Sequence, residues 1–229
     1  RFLKSHLPFD ALPIYDEVKY IHVARQGLDA FMSWHNHTSH YTPAVLAVED
    51  TVGMEDETIA RPRPRTSSDP REFFQVWMTE GPWARLADDY PASSYFDIER
   101  SWWAARTRSN VLMVHYNDLK SDLGGTMRRI ARYLDVSVDE VLWPTLIEAA
   151  GFDFMREHGT ELMPTAAQAW DKGSETFLNK GTNGRWRDVL TADDVARYEA
   201  RAERELPPAL AAWLAHGGPV AGDPHSSPD

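Results

Sequence analysis

Two short apolar runs rich in β-branched residues, 18–24 (VKYIHVA) and 110–116 (NVLMVHY), constrain this chain's fold more than any other feature. Each reads as a buried strand. Gly27 breaks the first run, and Leu28 to His37 then reads as a helix. A helical stretch from Tyr95 to Arg108, rich in Trp and Arg, precedes the second run. A helix from about Leu123 to Leu134 follows it, with Met127, Ile130, Ala131 and Leu134 on one face. Strands that alternate with helices predict an α/β fold, a parallel central sheet flanked by helices. Parallel neighbours need a crossover connection, and a helix supplies it.

Other helices are announced by their caps. Asp69-Pro70-Arg71-Glu72 offers an N-cap, a Pro in the first turn and an acid beside it. Ser137 with Glu140 reads as a capping box, and Thr191 with Asp194 as an acidic cap opening a long charged helix to about Glu205. Residues 41–68, with Arg61, Arg63 and Arg65 between prolines, read as a long surface loop or lid. Residues 1–216 are expected to form one domain, and the Gly/Pro/Ser-rich residues 217–229 a flexible tail.

Composition narrows the function. With 42% hydrophobic residues the chain can bury a core, and without cysteine it has neither disulfides nor thiolate metal sites. A net charge of −11 argues against sequence-independent nucleic-acid binding, which needs a basic surface. The sequence shows no integral membrane segment and no signal peptide, so a cytoplasmic location is expected. The chain opens on Arg1 with residues that already look strand-like, and is expected to lack an N-terminal portion. Nine Trp fit either core packing or an aromatic acceptor pocket.

Three segments carry chemistry. In Lys4-Ser5-His6-Leu7-Pro8 a cation and an imidazole stand two apart at the expected end of a short strand, so they point the same way. An imidazole there can act as a general base, and an ammonium can stabilise a leaving anion. In Val23-Ala24-Arg25, Arg25 ends the first strand, where open α/β sheets bind ligands, and Ser33 follows on the next helix. Guanidinium and hydroxyl donors suit a phosphate. In Asn179-Lys180-Gly181-Thr182-Asn183-Gly184, two glycines let backbone amides approach an anion, with Lys180 adding charge. His35, His37 and His40 do not make a metal site, because positions i and i+2 of a helix face apart; no metal is expected.

Together these segments resemble the PAPS-dependent sulfotransferases related to the cytosolic aryl and steroid enzymes (PAPS is 3′-phosphoadenosine-5′-phosphosulfate). That family's Lys-Ser/Thr-His-Leu-Pro segment matches residues 4–8. Its Val-Ala-Arg strand with a later Ser matches Arg25 and Ser33. Its strand reading roughly Phe-Tyr-Glu-Asp-Met/Leu is seen as His115-Tyr116-Asn117-Asp118-Leu119, and its C-terminal Arg-Lys-Gly-x-x-Gly-x-Trp loop as residues 179–186. The Gly-Thr-Asn-Gly-Arg-Trp form resembles bacterial rather than animal members.

The resemblance implies a P-loop nucleotide-hydrolase-like sulfotransferase fold with PAPS as donor. It implies His6 as catalytic base and Lys4 as its assistant at the leaving phosphate. It also implies Arg25, Ser33, Asn179, Lys180 and Gly181 at the 3′-phosphate, Tyr116 on the adenosine side, and Phe152 on the adenine. The family's P-loop-like strand–loop–helix precedes the Lys-Ser-His segment and is not found in these residues. Asn179 stands where the family has Arg. The animal dimer motif is reduced to Arg187, Thr191, Ala192 and Ala196, so that dimer is not expected. The acceptor stays open among phenols, lipid alcohols, glycolipids and amines. Residues 38–68 and 155–176, with Phe74, Trp77 and Trp83, are expected to shape its pocket. The alternative readings are a catalytically impaired nucleotide-binding domain and a P-loop small-molecule kinase.

Overall fold

The computed structural model describes residues 1–51, 55–56, 65–79 and 94–227. Trp83, Arg61 and Arg63 lie outside the described residues. In chain order the main elements are β1 (Tyr20–Ala24), α1 (Gly27–Ser39), α2 (Pro43–Glu49), α3 (Pro70–Thr79), α4 (Tyr95–Ala104), β2 (Val111–His115), α5 (Tyr116–Ser121) and α6 (Leu123–Tyr133). They continue with α7 (Trp143–Ala149), α8 (Phe152–Glu157), three single-turn helices α9 (Gly159–Leu162), α10 (Ala166–Ala169) and α11 (Ser174–Phe177), then α12 (Ala192–Glu205), α13 (Pro208–His216) and α14 (Gly218–Ala221). The chain divides into two compact units.

The first unit comprises Arg1–Leu28, Val76–Trp143 and Leu190–Asp229. Its sheet, among the described residues, is the parallel pair β1–β2, in register from Tyr20↔Val111 to Ala24↔His115. Val111, Met113 and Val114 of β2 are buried, as a parallel strand requires. The first run is less buried than its composition predicts. The strand starts at Tyr20 rather than residue 18, and Val23 is 56% exposed while its neighbours His22 and Ala24 are buried. The period of two sends alternate side chains to opposite faces, and only one face of β1 is covered here. Trp102, Trp103, Leu210, Trp213 and Leu214 complete this core. His22 sits inside it, stacked on Trp102 with centroids 4.8 Å apart, its Nε2 2.9 Å from the buried Glu99 carboxylate.

In the second unit, Asp29–Gln75 and Pro144–Val189, the described regular elements are helices, with an isolated antiparallel bridge between Tyr41 and Trp170. Phe31 packs edge-on against Phe74 at 5.1 Å and over Phe73 at 6.0 Å. A second aromatic group gathers around His37, where Trp34, Tyr41, Trp170 and Phe177 all lie within 6 Å between centroids.

Most caps sit where the residues place them. Asp69 accepts from Arg71 N at 2.8 Å, and Thr191 with Asp194 forms a reciprocal capping box on α12. Three expectations change. Ser137 does not head this turn; Asp139, immediately before a 3₁₀ turn at Glu140–Leu142, is the N-cap and accepts from Val141 N two residues on. The stretch 41–68 is not all loop, since Thr42 caps and Pro43 starts α2, a Thr-Pro pair that acts as helix start rather than punctuation. Residues 217–227, set apart as a flexible tail, carry α14 and a 3₁₀ turn at Pro224–Ser226, and Arg106 Nη2 donates to Ser227 O at 3.0 Å.

Candidate functional site

Parallel register places Arg25 and Tyr116 side by side. Ala24 and His115 are partners in the ladder, so the next residue of each strand emerges at the same carboxyl edge. The Arg25 guanidinium carbon lies 4.3 Å from the centroid of the Tyr116 ring. A guanidinium over a ring face is held by the ring's quadrupole and keeps its donors in the ring plane's periphery. Tyr116 is the first residue of α5 rather than the last of a strand. The change of element follows from His115, whose Nδ1 accepts from Asn117 N at 3.1 Å and so caps the helix. The other ring nitrogen, Nε2, donates to Leu214 O at 3.0 Å. Burial, above all, pushes the His115 imidazole below its ordinary pKa, which preserves the neutral accepting tautomer.

Two tyrosines brace the turn that carries Arg25. The Tyr95 hydroxyl of α4 donates to Arg25 O at 2.8 Å. Tyr198 of α12 is hydrogen-bonded to Tyr95 and to the Gly27 backbone, and burial drives both phenols well above the ordinary range. A Cβ on Gly27 would stand 2.3 Å from the Tyr198 hydroxyl, so no larger residue fits without moving it. Neither tyrosine carries a motif; only tertiary contact reveals them.

Lys4 and His6 are exposed and lie in irregular chain, not in a strand. Among the described residues no strand pairs with them, and an unpaired segment has no ladder to define it. The segment is nonetheless held on α4. Trp102 Nε1 donates to Leu7 O at 3.3 Å, Phe9 N donates to Ser101 Oγ at 2.8 Å, and Phe9 packs edge-on to Trp102 at 5.1 Å. Desolvation first, and the neighbouring Lys4 charge second, push the His6 imidazole below its ordinary pKa of 6.5. Near neutrality it is therefore unprotonated and able to take up a proton.

The second unit holds the remaining expected residues. Ser33 is exposed on α1. Gly181 has φ +61° and Gly184 φ +81°, backbone that favours glycine. A Cβ on Gly181 would meet three ring carbons of Phe152 at 2.9 Å, so the Phe152 ring lies directly on the loop. Lys180 is exposed. Asn179 Nδ2 donates to Asn36 Oδ1 at 2.7 Å, Asn36 Nδ2 donates to Thr176 O at 2.9 Å, and Gly184 N donates to Asp29 Oδ1 at 2.6 Å. Asn36 and Asp29 are absent from the sequence reading; their spacing from Ser33 on one helix was the only available signal.

Phe74 and Trp77, expected at the acceptor pocket, are buried core residues. Phe74 packs on Phe31 in the second unit, and Trp77 stacks with Tyr198 at 6.3 Å in the first. His35 Nε2 is engaged with Ser67 O and His40 Nδ1 with Asn36 O, each at 2.9 Å. Among the described residues no group of three or more metal-ligating side chains gathers.

The first unit thus carries an Arg on a Tyr ring at the carboxyl edge of its strands and an imidazole beside a Lys, and the second carries a Gly loop with an exposed Lys. The sulfotransferase domain family matches residues 1–208, and the chain belongs to that family. A glycolipid sulfotransferase of Mycobacterium bovis is 30% identical over 98% of this chain and 72% of its own length. Mouse sulfotransferase 1B1 is 26% identical over 90% of this chain and 61% of its own length. Among solved structures, retinol dehydratase in complex with androsterone and the inactive cofactor PAP superposes with a TM-score of 0.66 at 24% identity. The match covers 91% of this chain and 53% of that one, so this chain spans about half the length of that relative. The α/β sulfotransferase fold follows from this likeness.

Proposed function

We propose that the protein transfers the sulfuryl group of PAPS to a hydroxyl or amine of a small-molecule acceptor, with His6 as general base. The observation that carries this reading is the Arg25–Tyr116 pair at the carboxyl edge of β1 and β2, an anion-and-ring constellation suited to a phosphorylated nucleoside. In this reading Arg25, Ser33, Lys180 and Gly181 serve the phosphate, Tyr116 the adenosine side, Phe152 the adenine, and Lys4 and His6 the chemistry.

The bound donor supplies an electrophilic sulfur with a good leaving group. The acceptor oxygen forms the new bond to sulfur as the bond from sulfur to the bridging oxygen breaks. The bonding pair stays with the phosphate, giving adenosine 3′,5′-bisphosphate, and the acceptor's proton goes to the His6 imidazole. Lys4 stabilises the charge that grows on the departing phosphate. Positioning and charge stabilisation carry the reaction, and no covalent enzyme intermediate is needed. The mycobacterial relatives, named as glycolipid sulfotransferases, make a lipid-linked sugar hydroxyl the first acceptor class to try. A cytoplasmic location belongs to the same reading; no described helix is long and apolar enough to cross a membrane.

The test is transfer of labelled sulfate from PAPS to a panel of phenols, lipid alcohols, glycolipids and amines. His6→Ala should lower kcat by ~10²–10⁴-fold, the usual contribution of a general base, with bisphosphate affinity little changed. Equal turnover by the variant would remove His6 from this role. Bisphosphate binding with no transfer to any acceptor would leave a nucleotide-binding domain.

A further inference from the structure

We infer that Asp29 and Asn36 of α1 are positioning residues that clamp the loop 179–184 at both ends, and that Asn179 serves this clamp rather than the ligand; the functional consequence rests on the nucleotide reading above. Asp29, Ser33 and Asn36 stand at i, i+4 and i+7 and so share one stripe of the helix. The two outer members each take one end of the loop. Asp29 Oδ1 accepts from Gly184 N at 2.6 Å, and Asn36 Oδ1 accepts from Asn179 Nδ2 at 2.7 Å. Asn36 is fixed in turn by donating to Thr176 O at 2.9 Å, immediately upstream of the loop. Ser33, exposed, lies between the two anchors on that stripe.

The chemistry sorts the roles. A carboxylate can only accept hydrogen bonds, so Asp29 cannot hold a phosphate and would repel one. It is 5% exposed, and a buried carboxylate is tolerated where N–H groups face it. Its place in the first turn of α1 adds the favourable end of the helix dipole. Asn179 stands where the family resemblance places an Arg, a side chain that would reach an anion. Here the side chain is short and its amide is engaged by Asn36. Pinned at residues 179 and 184, the loop keeps both positive-φ glycines, φ +61° and +81°, in backbone that an untethered chain would sample only in part. Pre-ordering the loop lowers the entropy cost of binding an anion there.

The experiment uses the full chain and two readouts, amide hydrogen exchange of residues 179–184 without nucleotide and calorimetry with adenosine 3′,5′-bisphosphate. Asn36→Ala and Asp29→Ala should each speed exchange across the loop and weaken bisphosphate binding by roughly tenfold, the fold-change of one lost hydrogen bond of about 1.4 kcal/mol. Asp29→Asn keeps an oxygen acceptor for Gly184 N and should restore slow exchange, and it serves as the second variant should Asp29→Ala not fold. Lys180→Ala should weaken binding while leaving exchange of the loop slow. Exchange unchanged in both Asn36→Ala and Asp29→Ala would overturn the clamp, whether or not the wild type binds nucleotide. Fast exchange in those variants, with no bisphosphate binding by the wild type, would keep the clamp and remove the nucleotide reading.

Discussion

Replacing Gly181 by Ala tests the loop geometry most directly, because its cost separates into two parts. The first is backbone strain. At φ +61° an L-residue with a Cβ loses about 1–2 kcal/mol relative to ordinary conformations. The second is steric. The new methyl would sit 2.9 Å from three carbons of the Phe152 ring, so the ring or the loop must move, and overpacking of this kind costs ~1–3 kcal/mol. The Phe152→Ala background is the control, since it removes the ring and Gly181→Ala made there carries the strain without the collision. The difference in the cost of Gly181→Ala between the two backgrounds is then the Phe152 contact, about 1–3 kcal/mol. It should be read as denaturant stability and as affinity for adenosine 3′,5′-bisphosphate, since a displaced loop trades one for the other. An equal cost of Gly181→Ala in the wild-type and Phe152→Ala backgrounds, in both readouts, would refute the packing of Phe152 on the loop.

Arg25→Ala should weaken bisphosphate affinity by ~10–150-fold, the loss of a charge-assisted contact worth ~1.5–3 kcal/mol, and unchanged affinity by calorimetry would count against the phosphate assignment. Because the His6 pKa is lowered, its proton-accepting form persists below pH 6.5, so kcat should hold as pH falls through 6.5 and decline only at lower pH. Lys4→Met removes the secondary cause of that shift and should move the acid limb of the profile upward; a limb that stays put would uncouple the two residues. Tyr198→Phe deletes a buried hydroxyl bonded to Tyr95 and Gly27 and should cost ~1–3 kcal/mol in urea unfolding; a difference below a few tenths would mean the turn at residues 25–27 does not depend on it.

Local chemistry decided most of the elements in advance. The strand at 111–115, the helices from Tyr95, Leu123 and Ala192, and the caps Asp69 and Thr191 follow from side-chain periodicity and from hydrogen bonds spanning two or three residues. Such interactions depend on neighbours in the chain, so they can be read from it. Among the candidate site residues, spacing points to Arg25 and Gly181 and the family resemblance to Tyr116 and Phe152; two contacts, Arg25 on Tyr116 and Phe152 on Gly181, are found between them, and their roles at a nucleotide stay proposals.

What the residues alone left undecided depends on partners far along the chain. Whether Phe74 and Trp77 lined a pocket or filled a core depended on Phe31 and Tyr198, not on their own chemistry. The bracing of Arg25 by Tyr95 and the engagement of Asn179 by Asn36 are hydrogen bonds between residues 70 and 143 positions apart. A side chain's donors and acceptors are written in its formula, but their assignment is a competition among every group the fold brings near. Composition and spacing therefore supplied the elements and the reactive groups, and tertiary packing alone chose which of those groups face one another.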